Sequence, residues 1–188
     1  MIARREEIPH DHLFVLTGGP GSGKSTVIDL LQARGCGRTL EAGRGVIQDQ
    51  IAIGGPALPW ADRAAFAELM LAWDMRSHHA ACAAPGPVFC DRGVPDVAGY
   101  LRLSGLPVPD HVARAAERFR YNRTVFIAPP WAEIFHTDAE RKQDFAEAVR
   151  TFHAMADTYR AYGYTLLELP RASPEERASF ILTATAGS

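Results

Sequence analysis

Cysteine is scarce in this chain. Cys36, Cys82 and Cys90 are its only three, an odd number with no C-x-x-C spacing. That excludes a disulfide scaffold and a thioredoxin-like redox motif, and predicts free thiols in a reducing, cytoplasmic setting. Long apolar runs are missing too. The first residues, Met1-Ile-Ala-Arg-Arg-Glu-Glu7, lack the run of a signal peptide, and no later stretch is long enough to span a bilayer. Charge of one sign is also lacking. A net charge of −2 argues against a dedicated nucleic-acid or anionic-membrane surface, and the aromatics follow no RNA-recognition pattern, so no nucleic-acid partner is expected. His10, His12 and the His78-His79 pair have no cysteine or carboxylate partner at metal-site spacing, and no zinc is expected. There is no internal repeat or low-complexity segment, and nothing in the sequence specifies an oligomeric state.

What is present describes one globular unit. At 188 residues and 47% apolar, the chain can build one substantial core and is short for two. We therefore expect a single domain over residues 1–188, with disorder confined to the first ten residues or so and to Ala184–Ser188.

The chain is organised around Leu13-Phe-Val-Leu-Thr17 and the stretch that follows, Gly18-Gly-Pro-Gly-Ser-Gly-Lys-Ser-Thr26. The second fits G-x-x-x-x-G-K-[ST] with Gly18, Gly23, Lys24 and Ser25 in the fixed positions. It sits between an apolar strand and a segment of helical character, which is the context a phosphate-binding loop requires. Glycines 18, 19, 21 and 23 allow a tight turn with N–H groups aimed at an anion, and the following helix adds its positive end. Gly18, Gly19, Gly21, Ser22, Gly23, Lys24, Ser25 and Thr26 are thus expected to cradle a nucleoside triphosphate. Lys24 would lie on its β- and γ-phosphates and Ser25 on Mg²⁺.

Downstream, strand and helix alternate. Helices are expected from about Lys24 to Arg34, around Val46–Ile51, from Asp62 to Cys82, from Asp96 to Ser104, from an Asp110 N-cap to Phe119, and from Phe145 past Tyr159. Short strands are expected at Arg38–Glu41, Val88–Cys90, Thr124–Ala128 and Thr165–Leu169. Ser173-Pro-Glu-Glu176 is a capping box with proline at the first helical position, and Thr137-Asp-Ala-Glu140 has the same T-x-x-E form. The alternation implies a parallel sheet with helices on both faces and a ligand cleft at the carboxyl ends of the strands.

Three further sites converge on that cleft. Asp91 ends an apolar strand, where a carboxylate can hold Mg²⁺ through its water shell or take an acceptor hydroxyl's proton. Arg92 beside it offers a planar cation for phosphate; the plain alternative is a surface Asp-Arg turn. Glu41 follows the second strand, with Arg44 close by; it either orients an acceptor hydroxyl or forms a helix-start salt bridge. Arg141 and Lys142 stand early in a helix, against the helix dipole, which suits charge stabilisation on a transferring phosphoryl group as well as a solvated face. Trp60 and Tyr100 can stack on a substrate ring, although packing under a loop accounts for either.

Gly18–Thr26, Glu41-Ala-Gly-Arg44, Phe89-Cys-Asp-Arg-Gly-Val-Pro-Asp96 with Tyr100-Leu101, and Asp138-Ala-Glu-Arg141 together resemble the AAA-domain ATP-binding proteins of the P-loop kinase superfamily. Relatives of that group include the kinase domain of nicotinamide-riboside kinases. The resemblance implies a nucleotide-kinase-like three-layer α/β/α fold with a five-stranded parallel sheet and a small helical lid at about residues 130–145. It implies that Lys24 and Ser25 hold phosphate and Mg²⁺, that Asp91 is acidic machinery, and that Arg141 matches the lid arginine. Alanine follows Asp138 where the nicotinamide-riboside kinases tend to carry glycine.

The function expected is a small-molecule kinase that moves the γ-phosphate of ATP·Mg²⁺ to a hydroxyl of a nucleoside-like or other small acceptor. Lys24, Asp91, Arg92, Arg141 and Glu41 form its catalytic set, and Ser25 and Asp91 its metal set. The competing expectation is a nucleotide-dependent switch that hydrolyses slowly and binds a protein or lipid partner. The missing N-K-x-D signature weakens a guanine-reading version of it.

Overall fold

The computed structural model describes residues 10–135 and 144–186. Arg141, Lys142 and the Thr137–Glu140 capping box lie outside them, as do the first nine residues and the last two. A five-stranded, all-parallel sheet runs through the centre in the order β2-β3-β1-β4-β5. Its strands are β1 (Leu13–Gly18), β2 (Gly37–Arg38), β3 (Val88–Asp91), β4 (Thr124–Ala128) and β5 (Thr165–Glu168). The helices are α1 (Lys24–Ala33), α2 (Ala42–Ile53), α3 (Arg63–Cys82), α4 (Val94–Leu103), α5 (Asp110–Arg118), α6 (Phe145–Ala161) and α7 (Pro174–Ala186).

The sheet is covered on both faces because its central strands are apolar along most of their length, with Thr17, Asp91 and Thr124 the polar exceptions. Side chains alternate along a strand, so Leu13 and Val15 of β1 enter one core while Phe14 and Leu16 enter the other. The first core packs the sheet against α2–α6. Val46, Phe66, Val97, Val112 and Tyr159 are among its members. The second packs it against α1 and α7 through Val27, Ile28, Leu31, Ala178 and Ile181.

Local signals account for most helix ends. Asp62 caps α3 by accepting from the Ala65 amide at 2.9 Å, and the Ser173–Glu176 capping box closes in both directions at the start of α7. Asp144 caps α6 in the same way through the Glu147 amide, 2.7 Å away.

Several boundaries differ from expectation, among them the start of α4, which lies at Val94 rather than Asp96. β2 begins and ends earlier than Arg38–Glu41, because its pairing with β3 runs only from Gly37 N–H on the Pro87 carbonyl to Thr39 N–H on that of Phe89. Leu40 then turns out to solvent, and Glu41 becomes the N-cap of α2. Asp110 is the first residue of α5 rather than its cap, a place held by Pro109. At the other end of the chain α7 continues through Ala184 to Ala186. In the expected lid region the described residues hold one 3-10 turn, Ala132–Ile134.

Candidate functional site

The phosphate loop joins β1 to α1 and is clamped from two sides. A Cβ on Gly18, whose φ is +127°, would lie 2.5 Å from the Ala128 carbonyl oxygen of β4. One on Gly19 would lie 2.3 Å from the Ala148 carbonyl oxygen of α6. Neither neighbour is a flexible side chain, so backbone contact forces glycine at both positions. Inside the loop, Ser22 Oγ donates to the Gly19 carbonyl at 2.8 Å, and Lys24 Nζ reaches the same carbonyl at 2.8 Å and Ser22 Oγ at 3.3 Å. Lys24 is buried to 6% exposure, so its ammonium is held over the loop rather than in solvent. Ser25 and Thr26 follow in the first turn of α1, both exposed.

Asp91 closes β3 one strand away. Ser25 Oγ donates to its Oδ2 at 3.2 Å, while Oδ1 is buried without a hydrogen-bond partner. Burial, then the charge of Glu41, push the Asp91 pKa up; Lys24 and Arg92 oppose the shift. The next residue is strained. Arg92 has φ +70°, the only non-glycine residue with positive φ among those described, a conformation that costs about 1–3 kcal/mol and collects at functional sites. That twist directs its guanidinium between two carboxylates, with Nε on Glu41 Oε1 at 3.1 Å and Nη1 on Asp96 Oδ1 at 3.0 Å. Burial works against the charge, but Glu41, Asp96 and Asp91 outweigh it and raise the Arg92 pKa.

Asp96 organises the centre, a part the sequence reading did not assign to it. Its Oδ1 accepts from Thr17 at 2.5 Å as well as from Arg92. Its Oδ2 accepts from Tyr159 Oη at 2.6 Å and from the Gly93 amide at 3.0 Å. One carboxylate therefore ties β1, the β3–α4 turn and α6 together, and four donors justify its burial. Its place four residues past Arg92, in the first turn of α4, is the one signal that could have drawn attention to it.

A cavity of about 870 Å³ opens beside this centre, bounded by Pro20 of the loop and by Glu41, Arg92 and Asp96. Trp60 and Tyr100 also line it. Trp60 is 60% exposed rather than packed under its loop, and Tyr100 packs edge-on against Phe66. Asp74 of α3, the second residue missed, lines the cavity at 6% exposure. Burial first, then the charge of Asp96, drive its pKa well up. The Tyr100 hydroxyl is buried with no hydrogen-bond partner. Behind the loop a third residue, Arg177 of α7, is buried to 2% and donates from Nη1 to the Ser22 carbonyl at 2.8 Å.

Thus Lys24, Ser25, Asp91, Arg92 and Glu41 come together with the glycine loop in one cleft, as the topology required. The histidines behave differently from expectation. Cys82 Sγ lies 3.5 Å from His78 Nδ1 and 3.6 Å from His10 Nδ1, so these histidines do have a cysteine partner. It sits one helical turn from His78, and His10 is brought to it by the fold.

Comparisons with known proteins agree with this architecture. The profile of a family described as an AAA domain matches residues 13–177. No curated protein sequence matches the chain. A solved NadR protein in complex with NR is 16% identical with a TM-score of 0.72, over 95% of this chain and 50% of that one. The chain therefore spans half the length of that relative. Thymidylate kinase from Ehrlichia chaffeensis is 14% identical with a TM-score of 0.64, over 94% of this chain and 99% of that one. Shikimate kinase from Aquifex aeolicus is 19% identical with a TM-score of 0.53, over 93% and 96%. At such identities the likeness is one of fold. No helix among the described residues is long and apolar enough to cross a membrane. The glycine loop, the parallel sheet and a profile match over most of the chain lead to one conclusion: it belongs to this AAA-domain family and has the fold of the P-loop kinase-like NTPases.

Proposed function

We propose that this protein is an ATP-dependent phosphotransferase that moves the γ-phosphoryl group of ATP·Mg²⁺ to a hydroxyl of a small acceptor bound in the cavity. The observation that carries this reading is the cavity itself, which is walled by the phosphate loop on one side and by Glu41, Arg92 and Asp96 on the other. A simple triphosphatase has no need of a concave second site of this size.

The donor would lie in the Gly18–Thr26 loop with Lys24 on its β- and γ-phosphates. The residues present fit Mg²⁺: the Ser25 hydroxyl and the Asp91 carboxylate meet at 3.2 Å, and Asp91 Oδ1 is an unpartnered buried acceptor. When bound there, the ion would neutralise charge on the transferring group. Transfer forms a bond from the acceptor oxygen to the γ-phosphorus and breaks the bond to the β–γ bridging oxygen, so ADP leaves. The hydroxyl proton passes to a carboxylate. Asp91 suits that task better than Glu41, since burial favours its protonated form, whereas the charged Arg92 Nε already occupies Glu41 Oε1. Glu41 then orients the hydroxyl and Arg92 is a positioning residue that holds Glu41 against Asp96. Arg141, the expected lid arginine, would act on the γ-phosphoryl charge.

The cavity also supports a reading of the acceptor's chemistry. Asp74, Glu41 and Glu147 line it, as does Tyr100, whose hydroxyl is buried with no hydrogen-bond partner. An acceptor rich in hydroxyl or amine donors complements this lining of carboxyl groups and a hydroxyl, whereas a carboxylate or phosphate would face acidic walls. The test is ATP turnover with and without a panel of nucleosides, amino alcohols, sugars and sugar phosphates, with products weighed by mass spectrometry. Stimulation by an uncharged or amine-bearing alcohol that gains one phosphoryl group is the expected result. ATP hydrolysis indifferent to every alcohol, together with a protein retained only by the ATP-bound form, would replace this reading with that of a switch.

A further inference from the structure

His10, His78 and Cys82 lie at the end of the sheet opposite the phosphate loop, since His10 precedes β1 and its carbonyl accepts from the Leu13 amide at 2.9 Å. Each offers one ligand atom, and the three atoms fall within 4.8 Å of one another. The two sulfur–nitrogen distances are 3.5 and 3.6 Å. Zinc–sulfur and zinc–nitrogen bonds of about 2.3 and 2.0–2.1 Å, set at a tetrahedral angle, put the two ligand atoms about 3.5 Å apart. Both sulfur–nitrogen pairs therefore already stand at ligand separation.

The protonation pattern is consistent with a metal. His78 Nε2 lies 2.7 Å from the Arg120 carbonyl oxygen. A carbonyl can only accept, so Nε2 carries the ring proton and the lone pair of the neutral imidazole is on Nδ1, facing Cys82. A backbone carbonyl fixing the far nitrogen of a ligating histidine is the usual outer-shell arrangement at metal sites. The ring is held further by edge contacts to Phe119 and Tyr121. On α3, His78 and Cys82 are four residues apart and share a face.

We propose that His10, His78 and Cys82 bind a divalent metal of the zinc type, which clips the segment before β1 to α3. A thiolate with two imidazoles selects a borderline-soft ion over Mg²⁺ or Ca²⁺, and a water or other exogenous donor completes the tetrahedron. Binding releases the Cys82 thiol proton to solvent. The site shares no residue with the phosphotransfer centre, so its presence is independent of the reaction run there.

The experiment uses the full chain stripped by a chelator and then titrated with Co²⁺ and Zn²⁺. Expected are a thiolate-to-cobalt charge-transfer band that saturates at one equivalent, its displacement by Zn²⁺, and a higher melting temperature with Zn²⁺. In Cys82→Ser the band disappears, and Zn²⁺ affinity falls by more than the about 10- to 100-fold that loss of an outer-shell partner costs. Protection of Cys82 from alkylation by Zn²⁺ reads the same site in the unmodified protein, should the variant fold poorly. A missing charge-transfer band, Zn²⁺ retention unchanged in Cys82→Ser, or alkylation of Cys82 indifferent to Zn²⁺ would each overturn the proposal.

Discussion

The Ser25 hydroxyl donates to Asp91 Oδ2 across 3.2 Å, which joins the end of the phosphate loop to the tip of the neighbouring strand. Sixty-six residues separate the two in sequence. They meet because β1 and β3 pair in parallel with Leu16 opposite Asp91, so both chains leave the sheet on the same edge. The group on the loop that would touch Mg²⁺ and the acid proposed to take the proton are therefore one hydrogen bond apart.

Replacing Asp91 with asparagine separates those roles. The amide keeps the shape of the side chain and an acceptor for Ser25, but it cannot take a proton. ATP affinity should change less than about threefold, while turnover with the cognate acceptor falls by the about 10²- to 10⁴-fold that a general base contributes. Fluorescent-nucleotide binding and single-turnover product formation measure the two. Turnover within tenfold of the parent would remove Asp91 from the mechanism.

Lys24→Ala should act in the opposite way. The buried ammonium is held at the loop by Gly19 and Ser22, and charge-assisted hydrogen bonds contribute about 1.5–3 kcal/mol. Nucleotide affinity should fall about 10- to 150-fold by calorimetry, with the melting temperature of the nucleotide-free protein nearly unchanged.

Asp96 should matter for stability as much as for chemistry. Asp96→Ala strands Arg92, Thr17 and Tyr159 in the interior and should cost about 3–5 kcal/mol by chemical denaturation, the range for removing one partner of a buried charge pair. Tyr159→Phe loses only one of the four donors and should cost about 1 kcal/mol. Equal effects of the two would mean that the network is not centred on the carboxylate.

Asp74 gives a pH test with a definite sign. Its folded pKa is raised, by burial and then by Asp96, so the folded chain holds a proton that the unfolded chain releases. Stability contributed at this site therefore declines as pH rises from the ordinary aspartate value of 3.8 toward the raised one. Asp74→Asn removes that decline. Its melting temperature should exceed the parent's by a few degrees at neutral pH, with the gain shrinking as pH falls to the ordinary aspartate value. The same variant should raise the acceptor's KM and leave that of ATP alone. A gain that grew on acidification would contradict the assigned direction.

Much of this molecule could be read along the chain because its signals are local. The loop motif, the apolar strands and the Ser173–Glu176 capping box each act over a few residues, and the alternation of strand and helix already implied a sheet covered on both faces. Parallel order then placed Glu41 and Asp91 at the edge that carries the loop. Local rules went astray where a partner elsewhere decided the outcome. β2 is short because its register on β3 lets only Gly37–Thr39 pair, and Glu41 passes to the helix.

The sequence by itself determined that a triphosphate loop leads a parallel sheet, since glycine spacing and strand hydrophobicity are properties of neighbouring residues. Tertiary structure alone decided that Asp96 rather than Asp91 gathers the donors, that Asp74 lines the cavity, that Arg177 braces Ser22, and that Cys82 meets His10. Each of these depends on atoms far apart in the chain being brought within hydrogen-bond reach, a distance that no spacing along the chain encodes.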